Sequence, residues 1–203
     1  MHRRLGLVGL TALEERAYLH QHVRDSYTGA GEIVELGCWL GSLTSALALG
    51  LEECASPGAR FRVVHAYDRF VWTEWMGTLP AELNPDGLRP GDAFRAAFEE
   101  RIAPWRSRVA IHEGDLLEVG WTGGPIELLV VDAMKSPELT CAIVRDFYPH
   151  LIPNRSYLFH QDFAHEEHPW IRAAHERLAD FEPVLHVAGT DAVLFRTGDR
   201  PIL

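Results

Sequence analysis

At 203 residues, with 47% hydrophobic and 24% charged positions, the chain suits one domain with a substantial core and is ordinary for a soluble globular protein. Its formal net charge of −10 argues against broad attraction to nucleic acid or an anionic membrane, which favours a small molecule as partner. Cys38, Cys54 and Cys141 form no close pair, Met1-His-Arg-Arg4 opens no convincing signal peptide, and no run reaches the ~20 apolar residues of a membrane span, so the expected setting is cytoplasmic.

Thr11-Ala-Leu-Glu14 has capping-box spacing, and Leu13, Ala17, Val23 and Tyr27 form a helical stripe, so a leading helix is predicted over about 10–28, ended by Gly29-Ala-Gly31. Glu32-Ile-Val-Glu-Leu36 then reads as a strand, Gly37-Cys-Trp-Leu-Gly41 as a tight turn, and Leu43, Ala46, Leu47 and Leu51 as the stripe of a helix capped by Ser42. Such a helix start presents unpaired N–H groups to a polar ligand.

Phe61 to Tyr67 reads as a second strand ending at Asp68, whose carboxylate stands where two ribose hydroxyls can be accepted together. Residues 69–91 follow no period and are broken at Pro80, Pro85 and Pro90. A lid-like insertion is expected there, its aromatics Phe70, Trp72 and Trp75 either walling a pocket or anchoring the loop. A helix over 93–103 leads to a third strand over 108–112, followed by Glu113-Gly114-Asp115.

Ile126 to Val131 is nearly continuous in apolar residues, as a central parallel strand should be, and ends at Asp132. Ser136 and Pro137 open a helix running to about Tyr148. A fifth strand within 151–159 leads into His160-Gln161-Asp162-Phe-Ala-His165. His168-Pro169 then starts a helix to about Asp180, and Pro183–Val187 with Ala192–Phe195 reads as an antiparallel hairpin. The fold class expected is therefore α/β: a doubly wound, mostly parallel seven-stranded sheet closed by a C-terminal hairpin, one domain over 1–203.

Glu35-Leu-Gly37-Cys-Trp39-Leu-Gly41-Ser42, with an acidic residue, a glycine and a second glycine four residues on, resembles the first motif of class I S-adenosylmethionine-dependent methyltransferases. The dinucleotide fingerprint Gly-x-Gly-x-x-Gly is absent. The resemblance covers about residues 10–196. It implies a Rossmann-like fold and S-adenosylmethionine held by Glu35, Gly37, Trp39, Gly41, Ser42, Asp68 (ribose), Asp115 (adenine) and Asp132.

Asp132, Gln161 and Asp162 end neighbouring strands. In the resemblance they match the metal ligands of catechol-type and macrocin-type O-methyltransferases, with Asp132-Ala-Met-Lys135 matching the Asp-x-x-Lys spacing of the catechol type. A glutamine where that pattern has Asp or Asn leaves Mg²⁺ open as a second cofactor. Lys135, the single lysine among nineteen basic residues, His160 and His165 are the candidate bases. A zinc cluster of His160, Asp162, His165 and His168 lacks any cysteine.

The expected function is O-methylation of a small-molecule hydroxyl, as in secondary metabolism, with a homodimer left open. The same fold with another reaction, as in hydroxylase-like relatives, and a non-catalytic nucleoside-binding accessory protein remain the alternatives.

Overall fold

The computed structural model describes residues 9–84, 86–178 and 180–200; Met1–Arg4 and Pro85, named above, lie outside them. The leading helix α1 (Leu13–Ser26) precedes β1 (Glu32–Leu36), α2 (Ser42–Glu53) and β2 (Val64–Asp68). Then come α3 (Arg95–Arg101), β3 (Val109–Glu113), β4 (Ile126–Val131), α4 (Pro137–Asp146), β5 (Tyr157–His160), α5 (Pro169–Leu178), β6 (Phe181–His186) and β7 (Val193–Thr197). The seven strands form one sheet in the order β3-β2-β1-β4-β5-β7-β6. β3, β2, β1, β4 and β5 pair in parallel, and β7 runs antiparallel to both its neighbours, as the sequence led one to expect.

β4 is buried along its whole length. Its side chains alternate between the two cores. Leu128 and Val130 join Leu19 and Val23 of α1 and Leu43 and Leu47 of α2 on one face, while Leu129 and Val131 join Ile143 of α4 and Ile171 of α5 on the other. Among the described residues, no helix is long and apolar enough to cross a membrane.

Several local expectations shift. The first turn of α1 is closed one residue later than predicted, because the Glu15 carboxylate, not that of Glu14, accepts the Ala12 N–H at 3.1 Å. α3 is shorter than 93–103, since Pro104 enters a run of tight 3₁₀ turns over 103–108. The link between β3 and β4, left unassigned in the sequence, is a loop without a helix. Gly114, Gly120, Gly123 and Gly124 favour turns, and the loop instead lays Leu116 and Trp121 onto the sheet, with Trp121 edge-on to His65 at 4.9 Å.

The insertion after β2 divides its aromatics between the two expected roles. Phe70 and Trp72 are fully buried, and its base is clasped by Trp72 N–H to Asp92 O (2.8 Å), Phe94 N–H to Phe70 O (2.9 Å) and a bridge between Val71 and Ala93. Trp75, 52% exposed, stays at the surface. The loop is therefore pinned at its root.

The turn before β1 hangs from one buried carboxylate. Glu127 of β4 accepts Thr28 N–H and Thr28 Oγ1–H at 2.8 Å each through Oε1, and Gly31 N–H at 3.2 Å through Oε2. Glu127→Ala leaves these donors without their acceptor and should cost about 2–4 kcal/mol. Urea unfolding measures this, and a change under about 0.5 kcal/mol, the usual scatter of surface substitutions, would show the tether to be dispensable.

Candidate active site

Ligands of open α/β sheets bind beyond the carboxyl ends of the strands, and β1, β2, β4 and β5 deliver most of the expected residues there. Asp132 N–H donates to Leu36 O at 2.9 Å and Gln161 N–H to Val131 O at 3.0 Å, so the sheet ladder continues one step past β4 and β5 and fixes where both side chains start. A cleft of about 720 Å³ opens over this edge, lined by Trp39, Asp68, Asp132, Lys135, Asp162 and His165 among others. A second chamber of about 340 Å³, lined by Asp115, Leu116, Ser136 and Leu139, shares Gly37, Asp68 and Lys135 with it.

The glycine turn is held by its neighbours. Gly37 lies at φ +86°, its N–H donates to Tyr67 O at 2.9 Å, and a Cβ there would stand 2.8 Å from Asp132 O, so only glycine permits β1 to approach the end of β4. Gly41 also sits where the backbone bends and approaches a neighbour closely. At φ +83°, its missing Cβ would meet Ile102 Cγ2 at 2.8 Å and the Phe98 ring at 3.1 Å, which makes it a packing glycine against α3 and the turn behind it. Ser42 is the first residue of α2 and does not cap it; its hydroxyl hydrogen-bonds that of Thr11 at 3.0 Å, tying the leading segment to the helix start.

Asp68 receives Trp39 N–H on Oδ2 and Phe70 N–H on Oδ1, each at 2.9 Å. Both donors belong to residues in left-handed backbone, Trp39 at φ +43° and Phe70 at φ +52°. Burial raises the Asp68 carboxyl above its ordinary range, with these amides opposing. Asp115 lines the chamber, its Oδ1 accepting Leu117 N–H at 3.0 Å.

Glu35 is buried on β1. Thr44 Oγ1–H donates to its Oε2 at 2.6 Å, while Oε1 has no partner. Burial, partly offset by that hydrogen bond, pushes its carboxyl up to about 8.

At the open end of the cleft, Lys135 Nζ stands 2.6 Å from Asp132 Oδ1 and contacts Asp162 Oδ2. Burial alone would lower the Lys135 ammonium, but the two carboxylates outweigh it and hold it above its ordinary range, so as placed Lys135 is a cation and not the base expected of it. Asp132 is pushed up to about 6 by burial, with Lys135 opposing and Asp162 assisting.

His160 is corrected outright. It lies 1% exposed beneath α5, its Nε2 3.1 Å from Met134 Sδ and its ring against Phe163 and His175, away from both cavities; burial drives it well below its ordinary value. His165 does line the cleft, but its Nδ1 accepts Glu167 N–H at 3.2 Å, which leaves the ring proton of the neutral form on Nε2.

Two residues take places the sequence reading did not give them: His168, expected only in a zinc cluster and at a helix start, lines the cleft, and Glu15 lies buried beside Gln161. His168 stacks on His165 at 4.8 Å and places Nδ1 3.7 Å from Asp162 Oδ2, an approach that only the turn after β5 creates. Glu15 of α1, 3% exposed, has Gln161 Nε2 3.5 Å from its Oε2 and is pushed up to about 6 by burial. The capping-box spacing in the sequence pointed to Glu14, so nothing there marked Glu15.

The three expected metal ligands gather at one edge, yet their donor set does not fit a hard divalent cation. Mg²⁺ needs near-octahedral oxygen, whereas both carboxylates already share the Lys135 ammonium and Gln161 offers a neutral carbonyl whose oxygen is buried without a partner. No group of three or more His, Cys, Asp and Glu among the described residues is arranged to hold an ion, which also removes the zinc cluster.

No protein-family model and no curated protein matches the chain. Solved structures do match it. They include the O-methyltransferase NovP, at 16% identity and a TM-score of 0.70, over 97% of this chain and 87% of that one. The SAH-bound Podospora anserina methyltransferase PaMTH1 follows at 15% identity and 0.59, over 94% and 80%. An rRNA methylase from Streptococcus thermophilus matches at 12% and 0.54, over 88% and 93%. At these identities the likeness establishes the fold, which is that of the class I methyltransferases.

Glu35 supplies a test of the buried charge at the turn. Its folded-state value near 8 lies above the ordinary 4.5, so the folded protein keeps a proton that the unfolded chain has lost between those values. Its contribution to stability is full below the unfolded value and is lost as pH rises through the folded one. Glu35→Gln should therefore flatten the fall in urea midpoint across this window; an unchanged slope would show that Glu35 does not titrate there.

Proposed function

We propose that this chain is an S-adenosylmethionine-dependent methyltransferase acting on a hydroxyl of a small molecule. The observation that carries this reading is the joining of a chamber to an open cleft across Gly37, Asp68 and Lys135. A nucleoside in the first would present its reactive end to an acceptor in the second. The shared fold with NovP and PaMTH1 supports the same reading.

The residues suit that cofactor. Each oxygen of Asp68 takes one backbone N–H and keeps a further acceptor site for a ribose hydroxyl, and Asp115 lies in the chamber to receive the adenine amine. Gly37 lines both cavities and, lacking a Cβ, lets the turn after β1 close against the end of β4 between them. When bound, S-adenosylmethionine supplies a sulfonium methyl, whose bond electrons return to sulfur as the acceptor oxygen bonds to carbon. The chain has to align that oxygen and take its proton.

Of the bases considered, His160 is too deep and Lys135 is held protonated. We assign the role to His168, which faces the cleft with Asp162 beside its Nδ1, and give His165 a hydrogen-bonding part on the same wall. Burial lowers His168 below its ordinary value despite Asp162, which keeps the imidazole neutral and able to accept a proton at neutral pH. Trp75 and Met76 form an apolar wall of the cleft.

Among the described residues the cleft lining includes Asp68, Asp132, Asp162 and Glu167 against one cation, Lys135, so a neutral or cationic acceptor suits it and a polyanion such as RNA does not. The free cysteines fit a cytoplasmic protein.

Calorimetric titration should give micromolar binding of S-adenosylmethionine and S-adenosylhomocysteine. Asp68→Ala should weaken it about 100-fold, since two charge-assisted hydrogen bonds are lost. Absence of binding by the intact protein would overturn the reading. Once an acceptor is found, His168→Gln should lower kcat by about 10²–10⁴ without changing cofactor affinity. Full activity in that variant would move the base elsewhere.

A further inference from the structure

Two carboxylates from adjacent strands that face a common point are the usual seat of a hard cation. Here that point is filled by part of the chain itself. We infer that Lys135 is the built-in counter-ion of the Asp132–Asp162 pair, that it and a divalent metal are mutually exclusive occupants of this position, and that methyl transfer is therefore metal-independent. The last clause rests on the function proposed above; the ion exclusion does not.

The geometry is that of a bridging ion. Nζ is 2.6 Å from Asp132 Oδ1 and in contact with Asp162 Oδ2, reached from a loop whose Lys135 N–H donates to Ala133 O at 2.8 Å. That tight turn returns the side chain over the end of β4. A divalent cation placed between the same two oxygens would sit beside the ammonium, and like charges at that range repel strongly.

The third position of the set, Gln161, adds no charge, and its amide is oriented by Glu15, because Nε2 is the atom that lies toward that carboxylate and Oε1 is left buried without a partner. With two carboxylates and one ammonium the local charge is closer to balance than two carboxylates and a neutral amide would be alone.

The sequence offers an independent observation. The chain has nineteen basic residues, and Lys135 is its one lysine. A compact ammonium can sit between two carboxylates as a point charge, as a metal ion does, whereas a guanidinium presents a planar fork that would meet each carboxylate side-on and hold them farther apart. A chain that uses arginine at every other cationic position keeps lysine where the point-charge shape matters.

Paramagnetic titration with Mn²⁺ tests this without reference to turnover. The intact protein should leave Mn²⁺ free into the millimolar range, and Lys135→Met should tighten binding at least about tenfold, an increase that Asp162→Asn in the same background removes. Thermal unfolding verifies that the variants fold; Lys135→Gln replaces Lys135→Met if the latter does not. Micromolar Mn²⁺ binding by the intact protein that Asp162→Asn abolishes would overturn the inference with no lysine variant required. So would a folded Lys135→Met or Lys135→Gln protein that gains nothing. Turnover should survive EDTA, and its loss to EDTA with recovery on adding Mg²⁺ would refute metal independence. Failure to bind S-adenosylmethionine would instead remove the proposed function while the Mn²⁺ result stood.

Discussion

The cleft depends on the Asp68 carboxylate more than on any other single group. One oxygen holds the backbone of Trp39 in the turn after β1 and the other that of Phe70 at the root of the insertion after β2, both in left-handed conformations that cost free energy to maintain. Phe70 and Trp72 then fill the core, and the Trp72 ring lies 6.1 Å from that of Trp39. A carboxylate at the tip of one strand thereby joins the floor of the site to its wall. The lone pairs left after these contacts are the ones assigned to ribose, so the structural and the ligand-binding roles use the same side chain without competing for the same sites.

Electrostatics organise the opposite end. Glu15 of α1 and Asp132 at the end of β4 are raised mainly by burial, and the Asp162 carboxylate beyond β5 adds to both. Lys135 relieves this at the centre. Arginines make contacts of other kinds, as when Arg24 meets Asp25 at 2.7 Å and Arg16 Nε donates to Ala12 O at 3.3 Å. The separation of labour between one lysine and many arginines follows from the geometry each cation can satisfy.

Much of this was legible in the sequence, for identifiable reasons. The unbroken apolar run Ile126–Val131 marked the central strand, and Ser136-Pro137 marked a helix start that the structure keeps, with Ser136 Oγ accepting Leu139 N–H at 3.2 Å. Carboxylates at strand ends, Asp68 and Asp132, could be found because a parallel sheet directs every strand end to one edge. What could not be read was set by tertiary contact. Nothing in Gly41 shows which neighbours its missing Cβ accommodates until Phe98 and Ile102 are beside it. His160 and His168 are alike on paper, and strand alternation sends the first beneath α5 while a turn carries the second into the cleft. Glu15 comes into view only once α1 has docked.

The glycine-rich loop between β3 and β4 has a consequence for how the cleft behaves in time. β3 is an outer strand, paired on one side to β2, and the segment that follows it carries Asp115 and Leu116 on a glycine-rich loop. β4, which bears Asp132, is buried on both faces and flanked by strands on both sides. Local opening costs least at a sheet's margin and most at its centre. The chamber wall that carries Asp115 and Leu116 therefore stands where local opening costs least, and Asp132 of the adjoining cleft where it costs most.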